Sequence, residues 1–319
     1  MSPRAERAMV PREEFRSYYG KPIIKPPTWK SPDVPAYFFL GGLAGASSAM
    51  AALGEVTGRP ALARRCSVAA ALGSAAGVAA LIHDLGRPER FLNMLRVAKP
   101  TSPLSMGSWI LATYGTLAGA AGVSTVTGLL PRLGRAAGAG AALLSPAMMT
   151  YTAVLVADTA IPAWHDAYPE LPFLFAGGAL VSGGAVGVLS APPAQARPAR
   201  TIVVAGAALE LAAERRMTSR LGLLAEPYQQ GRPGRLLRAS QLLTAAGTLG
   251  ALAGRRSRLL SALSGVALLA GALCSRFGVF EAGKASATDP KYTVVPQRQR
   301  LEHLPAPRPG DEQSATTGA

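Results

Sequence analysis

Residues 151–175, YTAVLVADTAIPAWHDAYPELPFLF, place two apolar runs on either side of a short polar turn. The first run carries Tyr151 and stops at Asp158. The second starts at Leu171, after a proline-containing turn with Trp164, His165 and Asp166. If both runs are helices that cross a bilayer, this turn gathers an interfacial aromatic, an imidazole and two carboxylates at one membrane surface. Chemistry is expected there.

Outward from this stretch the same alternation continues. The 319 residues are 49% hydrophobic and only 16% charged, yet the formal net charge is +15, a balance foreign to ordinary soluble domains. Apolar and charged residues therefore fall in separate blocks. A helix needs roughly 20 residues to cross hydrocarbon. Eight stretches answer to that length: Pro35 to Gly54, Ala61 to Ile82, Leu104 to Leu130, Ala136 to Ala157, Leu171 to Ala191, Ala199 to Ala213, Leu236 to Gly254 and Leu259 to Phe280. The expected fold class is all-α, a polytopic membrane protein. An extramembrane arm is expected over residues 1–33, a transmembrane domain over 34–284 and an extramembrane tail over 285–319. The sixth stretch is short and holds Glu210, so seven spans is the competing count.

The runs are rich in Ala, Gly, Leu, Val and Ser, which lets membrane helices approach closely. Pro146 lies within the fourth and should kink it, freeing a carbonyl that a neighbour must satisfy. The arm is basic and has no apolar segment ahead of Pro35, so the first span is expected to drive insertion. Its aromatics, Tyr18, Tyr19 and Trp29, predict an arm draped over a surface. Between the second and third spans, Gly86 and Pro88 break the helix, and FLNMLRV predicts a short interfacial helix. An ordered strap is expected near Tyr292 to Val295. The short loops carrying Arg59, Arg64 and Arg65, then Arg132 and Arg135, Arg197 and Arg200, and Arg255, Arg256 and Arg258 hold almost no acid. The positive-inside rule places them in the cytoplasm, with the termini and the Trp164 turn extracytoplasmic. The basic arm and the 214–235 loop pull the other way.

Two cysteines, Cys66 and Cys274, both within apolar runs, supply neither a disulfide framework nor a thiolate metal centre. Three scattered histidines are too few for haem held between helices, so no haem or metal is expected. No nucleotide fingerprint is present, and no nucleic-acid partner is expected. Ionisable groups at membrane depth are the remaining functional candidates. Asp158 closes the fourth run; Glu210 sits inside the sixth, where burial would suit it to carry protons, or Arg276 could pair with it. Tyr37, Trp109, Tyr151, Asp158, Trp164 and His165 outline an aromatic, weakly polar opening suited to a flat amphiphile such as a quinone. Belt aromatics with no ligand explain the rings equally well.

Three segments, YFFLGGLAGASS (37–48), DLGRPERFLNMLRVAKPTSPLSMGSW (84–109) and YTAVLVADTAIPAWHDAYPELPFLFAGGAL (151–180), resemble the NrfD/PsrC family, the integral membrane subunits of polysulfide reductase-like complexes. The DLGRPERF loop with the spacing of KPTSPLSMGSW after it is the specific part. The likeness is close over roughly residues 18–190 and rests on span number and length beyond. It implies eight transmembrane helices in two four-helix bundles, in a bacterial inner membrane. It also implies menaquinone or another quinone near the extracytoplasmic face. The implied partners are an iron-sulfur electron-transfer subunit and a molybdopterin catalytic subunit, of polysulfide reductase or formate dehydrogenase type. Tyr151 matches the family's quinone-contacting tyrosine of the fourth span, and Tyr37 stands where the family has a histidine. Trp164 and His165 complete the expected quinone site. Asp158 and Glu210 are the expected proton relay, and Asp84, Arg87 and Arg90 the expected docking residues. A transporter or proton-conducting subunit using Glu210, or a scaffold without redox chemistry, are the alternatives.

Overall fold

The computed structural model describes residues 22–302, except residue 88 and the side chains of 301 and 302. The expectations for the first 21 residues, Tyr18 and Tyr19 included, for Pro88 and for the tail after 302 lie outside the described residues. Among the described residues all regular structure is helical. The long helices are α1 (Asp33–Val56), α2 (Pro60–Asp84), α4 (Pro103–Thr127), α5 (Pro131–Ala157), α7 (Leu171–Ser190), α8 (Arg197–Arg220), α10 (Gly231–Ala253) and α11 (Arg258–Thr288). Short pieces join them: α3 (Arg90–Asn93), α6 (Pro162–His165), a 3-10 turn at Gly222–Ala225, α9 (Glu226–Gln229) and the terminal α12 (Lys291–Glu302).

Proline marks where helices begin. It occupies the first or second position of α2, α4, α5, α6, α7 and α8, where its missing N–H is unneeded and its fixed φ suits a helix. The Ser102 hydroxyl accepts from the Ser105 N–H at the start of α4, and Gly128 closes that helix at φ 73°. Pro146 removes one donor inside α5, and the carbonyl left over, Ala142 O, accepts from the Ser145 hydroxyl at 2.8 Å. The freed carbonyl is thus satisfied within its own helix, not by a neighbour as expected.

Six helices, α1, α2, α4, α5, α7 and α11, are long and apolar enough to cross a membrane. The other two, α8 and α10, stand at the expected places with 24 and 23 residues, but Glu210, Glu214, Arg215 and Arg216 make α8 far more polar. The helix α1 packs on α2 and α5, and α4 packs on both α2 and α5. Correspondingly, α7 packs on α8 and α11, and α10 on α8 and α11. The seam between these groups runs through α7, which touches α1 and α5.

The interfacial helix expected at FLNMLRV is a single turn, Arg90–Asn93. The described part of the arm lies over the chain as expected: Trp29 stacks on Trp164 at 5.7 Å between ring centroids and meets Phe38 edge-on at 6.4 Å. The expected strap at Tyr292 is helical. Tyr292 is buried there, its hydroxyl donating to Glu226 at 3.2 Å.

Candidate functional site

The turn at 158–170 sits at the end of the molecule shared by the start of α1, the end of α2 and the start of α4. Its Trp164 is fully buried. The indole N–H donates to the Val279 carbonyl at 2.8 Å, and the ring lies 5.8 Å from Phe280. A Cβ on Gly283 would fall inside the indole, so α11 makes room for this tryptophan with a glycine. Trp164 is therefore a wall between α11 and the arm, with its one donor already used. The backbone of the turn is pinned too. Ala163 N–H donates to the Ser286 hydroxyl at 3.3 Å, and the Tyr228 hydroxyl donates to Ala163 O at 2.8 Å. Arg220 donates to the Asp166 carbonyl and holds Glu170 through two bonds of 2.8 and 2.7 Å.

Glu170 is 2% exposed. The Arg220 hydrogen bond, reinforced by the charges of Arg220 and Arg216, holds its carboxyl below the usual range against the opposing effect of burial. The pair raises the Arg220 guanidinium in turn.

His165 is exposed, and its Nδ1 lies 3.0 Å from the Ala157 carbonyl. A carbonyl only accepts, so Nδ1 carries a proton and donates it there, which leaves Nε2 to face outward. Asp158, also exposed, ends α5 two turns above Tyr151, a rise of about 10 Å. The expected docking residues Arg87 and Arg90 are exposed, whereas Asp84 is engaged: its carboxylate accepts from the Lys30 N–H at 2.9 Å. Beside it, His83 Nδ1 donates to Asp33 at 2.8 Å. The end of α2 thus ties the arm down.

Tyr37 and Tyr151 meet inside the helices, edge to face at 6.4 Å. Both are buried, at 4% and 7% exposed. The Tyr151 hydroxyl is buried and makes no hydrogen bond. One edge of its ring lies against α4, where a Cβ on Gly107 would come within 2.8 Å of Cδ2 and Cε2. Only glycine leaves space for the ring there. Sequence reasoning passed over Gly107, because nothing local marks it as the partner of a residue 44 positions on. It also missed the pairing of the Ser48 and Tyr114 hydroxyls at 2.7 Å, mid-height between α1 and α4. Below that pair, a cavity of about 170 Å3 opens among α1, α2, α4 and α5, with Glu55, Ser67, Thr125 and Arg135 in its lining.

The family whose sequence model is described as "Polysulphide reductase, NrfD" matches residues 25–199, more than half of the chain. The chain belongs to the NrfD family. It is a multi-pass membrane protein. No curated protein matches it. The NrfD match spans the arm from residue 25, α1 to α7 and the first residues of α8. It therefore takes in Tyr37, Gly107, Tyr151 and the Trp164 turn.

Beyond the NrfD match, Glu210 is buried in α8, accepting from the Ser275 hydroxyl at 2.7 Å. Arg276, 2% exposed, lies over the Phe175 ring at 4.1 Å and donates to the Phe175 carbonyl at 2.5 Å. A Cβ on Gly178 would meet Glu210 Oε1 at 2.8 Å and the Arg276 terminal nitrogens at 3.1 and 3.2 Å, so the two opposite charges share the space beside that glycine. They form no ion pair within 4.0 Å among the described residues, and one Arg276 nitrogen is left without a partner. A cavity of about 90 Å3 between α8 and α10 exposes Glu210 to Glu214, Gln241 and Thr244.

Proposed function

We propose that this NrfD subunit is the quinone-reactive membrane anchor of an oxidoreductase complex. Eight helices, in groups α1-α2-α4-α5 and α7-α8-α10-α11, cross a bacterial inner membrane, with the Trp164 turn extracytoplasmic. An iron-sulfur subunit of a molybdopterin enzyme docks over that turn, near the exposed Arg87 and Arg90. The observation that carries the reading is the Tyr151 hydroxyl. A buried O–H without an acceptor costs free energy, on the order of 1–3 kcal/mol. Such a group fits a ligand that brings a carbonyl oxygen.

A bound quinone, menaquinone or another, would supply the two-electron, two-proton couple. The chain supplies the hold. Tyr151 and Tyr37 donate through their phenols, which are weak acids and keep their protons at neutral pH. They are donors, not bases, so protons reach the surface through other groups. Asp158 and the free Nε2 of His165 stand above Tyr151 on the watery side. Trp164 and Phe280 wall the site from α11, and the small residues of α1, α4 and α5 leave apolar surface for a tail.

The test is Tyr151→Phe in the assembled complex. Quinol-linked electron transfer is expected to fall about tenfold while artificial-dye activity and complex composition stay intact. Unchanged quinol turnover would remove the tyrosine from the site.

Burial of Glu210 beside a cavity favours a second reading, proton conduction through α8 and α10. It expects the chain alone in liposomes to carry a proton flux that Glu210→Gln abolishes.

A further inference from the structure

On the face of the molecule opposite the Trp164 turn, α2 and α7 part to leave a groove of about 680 Å3 open to the outside. Arg64 and Arg65 line its mouth, one turn inside the start of α2, and both are exposed. Val68, Ala69 and Leu72 continue down the same side of α2, facing Val186 of α7. Leu72, about 10 Å deeper than the arginines, is 65% exposed. Among the described residues neither guanidinium has a carboxylate within 4.0 Å. Glu55 lines an adjoining hollow that also holds Arg59, Arg64 and Arg135. Three guanidiniums surround that single carboxylate, so the local balance stays positive.

We infer that this groove is a binding site for one anionic glycerophospholipid, its phosphate between Arg64 and Arg65 and an acyl chain along Val68, Ala69 and Leu72. The vertical order of the groups selects the occupant. Two like charges at headgroup depth over an apolar channel match a phosphate above a hydrocarbon tail. A partner helix would have to bring carboxylates to the same depth and desolvate them there. Guanidinium also suits the target, since its planar fork donates to two phosphate oxygens at once. The site is independent of the quinone reading, because it lies at the other end of the helices and uses none of the same residues.

The full chain is purified and phosphatidylglycerol binding is followed by native mass spectrometry, with phosphatidylcholine as reference. R64Q/R65Q is expected to lower phosphatidylglycerol affinity about fivefold for each guanidinium removed, roughly 25-fold for both. R64K/R65K, which keeps the charges, should recover most of it. Removing an equal charge elsewhere on that face, with R255Q/R256Q, should leave binding as it was. Should the double glutamine variant not be recovered, Ala69→Leu, which narrows the channel without touching charge, is expected to weaken binding too. Undiminished preference for phosphatidylglycerol in R64Q/R65Q, or an equal loss in R255Q/R256Q, would overturn the site. A second protein copy seated in the groove in place of lipid would do the same.

Discussion

Gly107→Ala is a sharp test of how Tyr151 is held. The added methyl would stand 2.8 Å from two carbons of the Tyr151 ring, where carbon atoms rest at about 3.5–4 Å. The ring must therefore retreat by roughly 0.7 Å or more within a buried site that it shares with Tyr37. Overpacking of this kind costs about 1–3 kcal/mol, offset in part by the helix preference of Ala over Gly, at most about 1 kcal/mol. The same helix carries its own control. A Cβ on Gly119 meets nothing within 4 Å, so Gly119→Ala should be neutral or mildly stabilising. The two variants, melted side by side in the same detergent, should differ by about 1–3 kcal/mol in the direction that penalises position 107. Quinol-linked turnover should fall tenfold or more at 107, as displacement of a positioning group by under an ångström allows, and be unchanged at 119. If both melt alike and turn over alike, the tyrosine does not rest on α4 in the way described.

Tyr151→Phe removes a partnerless buried hydroxyl, so the purified chain should melt at the same temperature or higher, with a gain of up to about 1 kcal/mol. A marked loss of stability would mean that the hydroxyl is already bonded. Glu170 is held below its ordinary pKa, so its contribution is full above the unfolded value near 4.3 and is lost as pH falls through the lower folded value. Hydrogen exchange of residues 158–170, once corrected for the intrinsic pH dependence of amide exchange, should therefore be flat from pH 8 to about 5 and rise in acid. Glu170→Gln should exchange faster at neutral pH and lose that acid response. Arg276→Met leaves Glu210 buried without the opposite charge beside it and is expected to destabilise the chain more than E210Q/R276M, which removes both charges. Equal losses in the two variants, measured by thermal melting, would mean that the charges do not act on one another.

The helices were readable because apolar blocks alternate with Arg- and Pro-rich punctuation, which fixes where a segment can enter or leave hydrocarbon. Glu210 and its neighbours blurred the sixth block, since a short apolar run and a long polar helix look alike until packing extends the second. Tyr37 and Tyr151 were legible as a pair, through the resemblance, and the structure does bring them together. The role of Trp164 was not. Its position in the turn suggests a residue at the membrane surface, but a carbonyl and a glycine more than a hundred residues later draw it inside. The partner of Asp84 was hidden for the same reason: it is a backbone N–H in the arm, which no local pattern announces.

The stacking of Trp29 on Trp164 has a temporal side. Trp164 is seated by Val279, Phe280 and Gly283, which lie in the last long helix. A ribosome releases residue 29 some 250 positions earlier. The leading segment must therefore wait, already at the membrane, until synthesis is nearly finished before its berth exists. Maturation of this subunit ends with the seating of Trp29, and truncation within α11 should leave the segment around that residue as the part most open to protease.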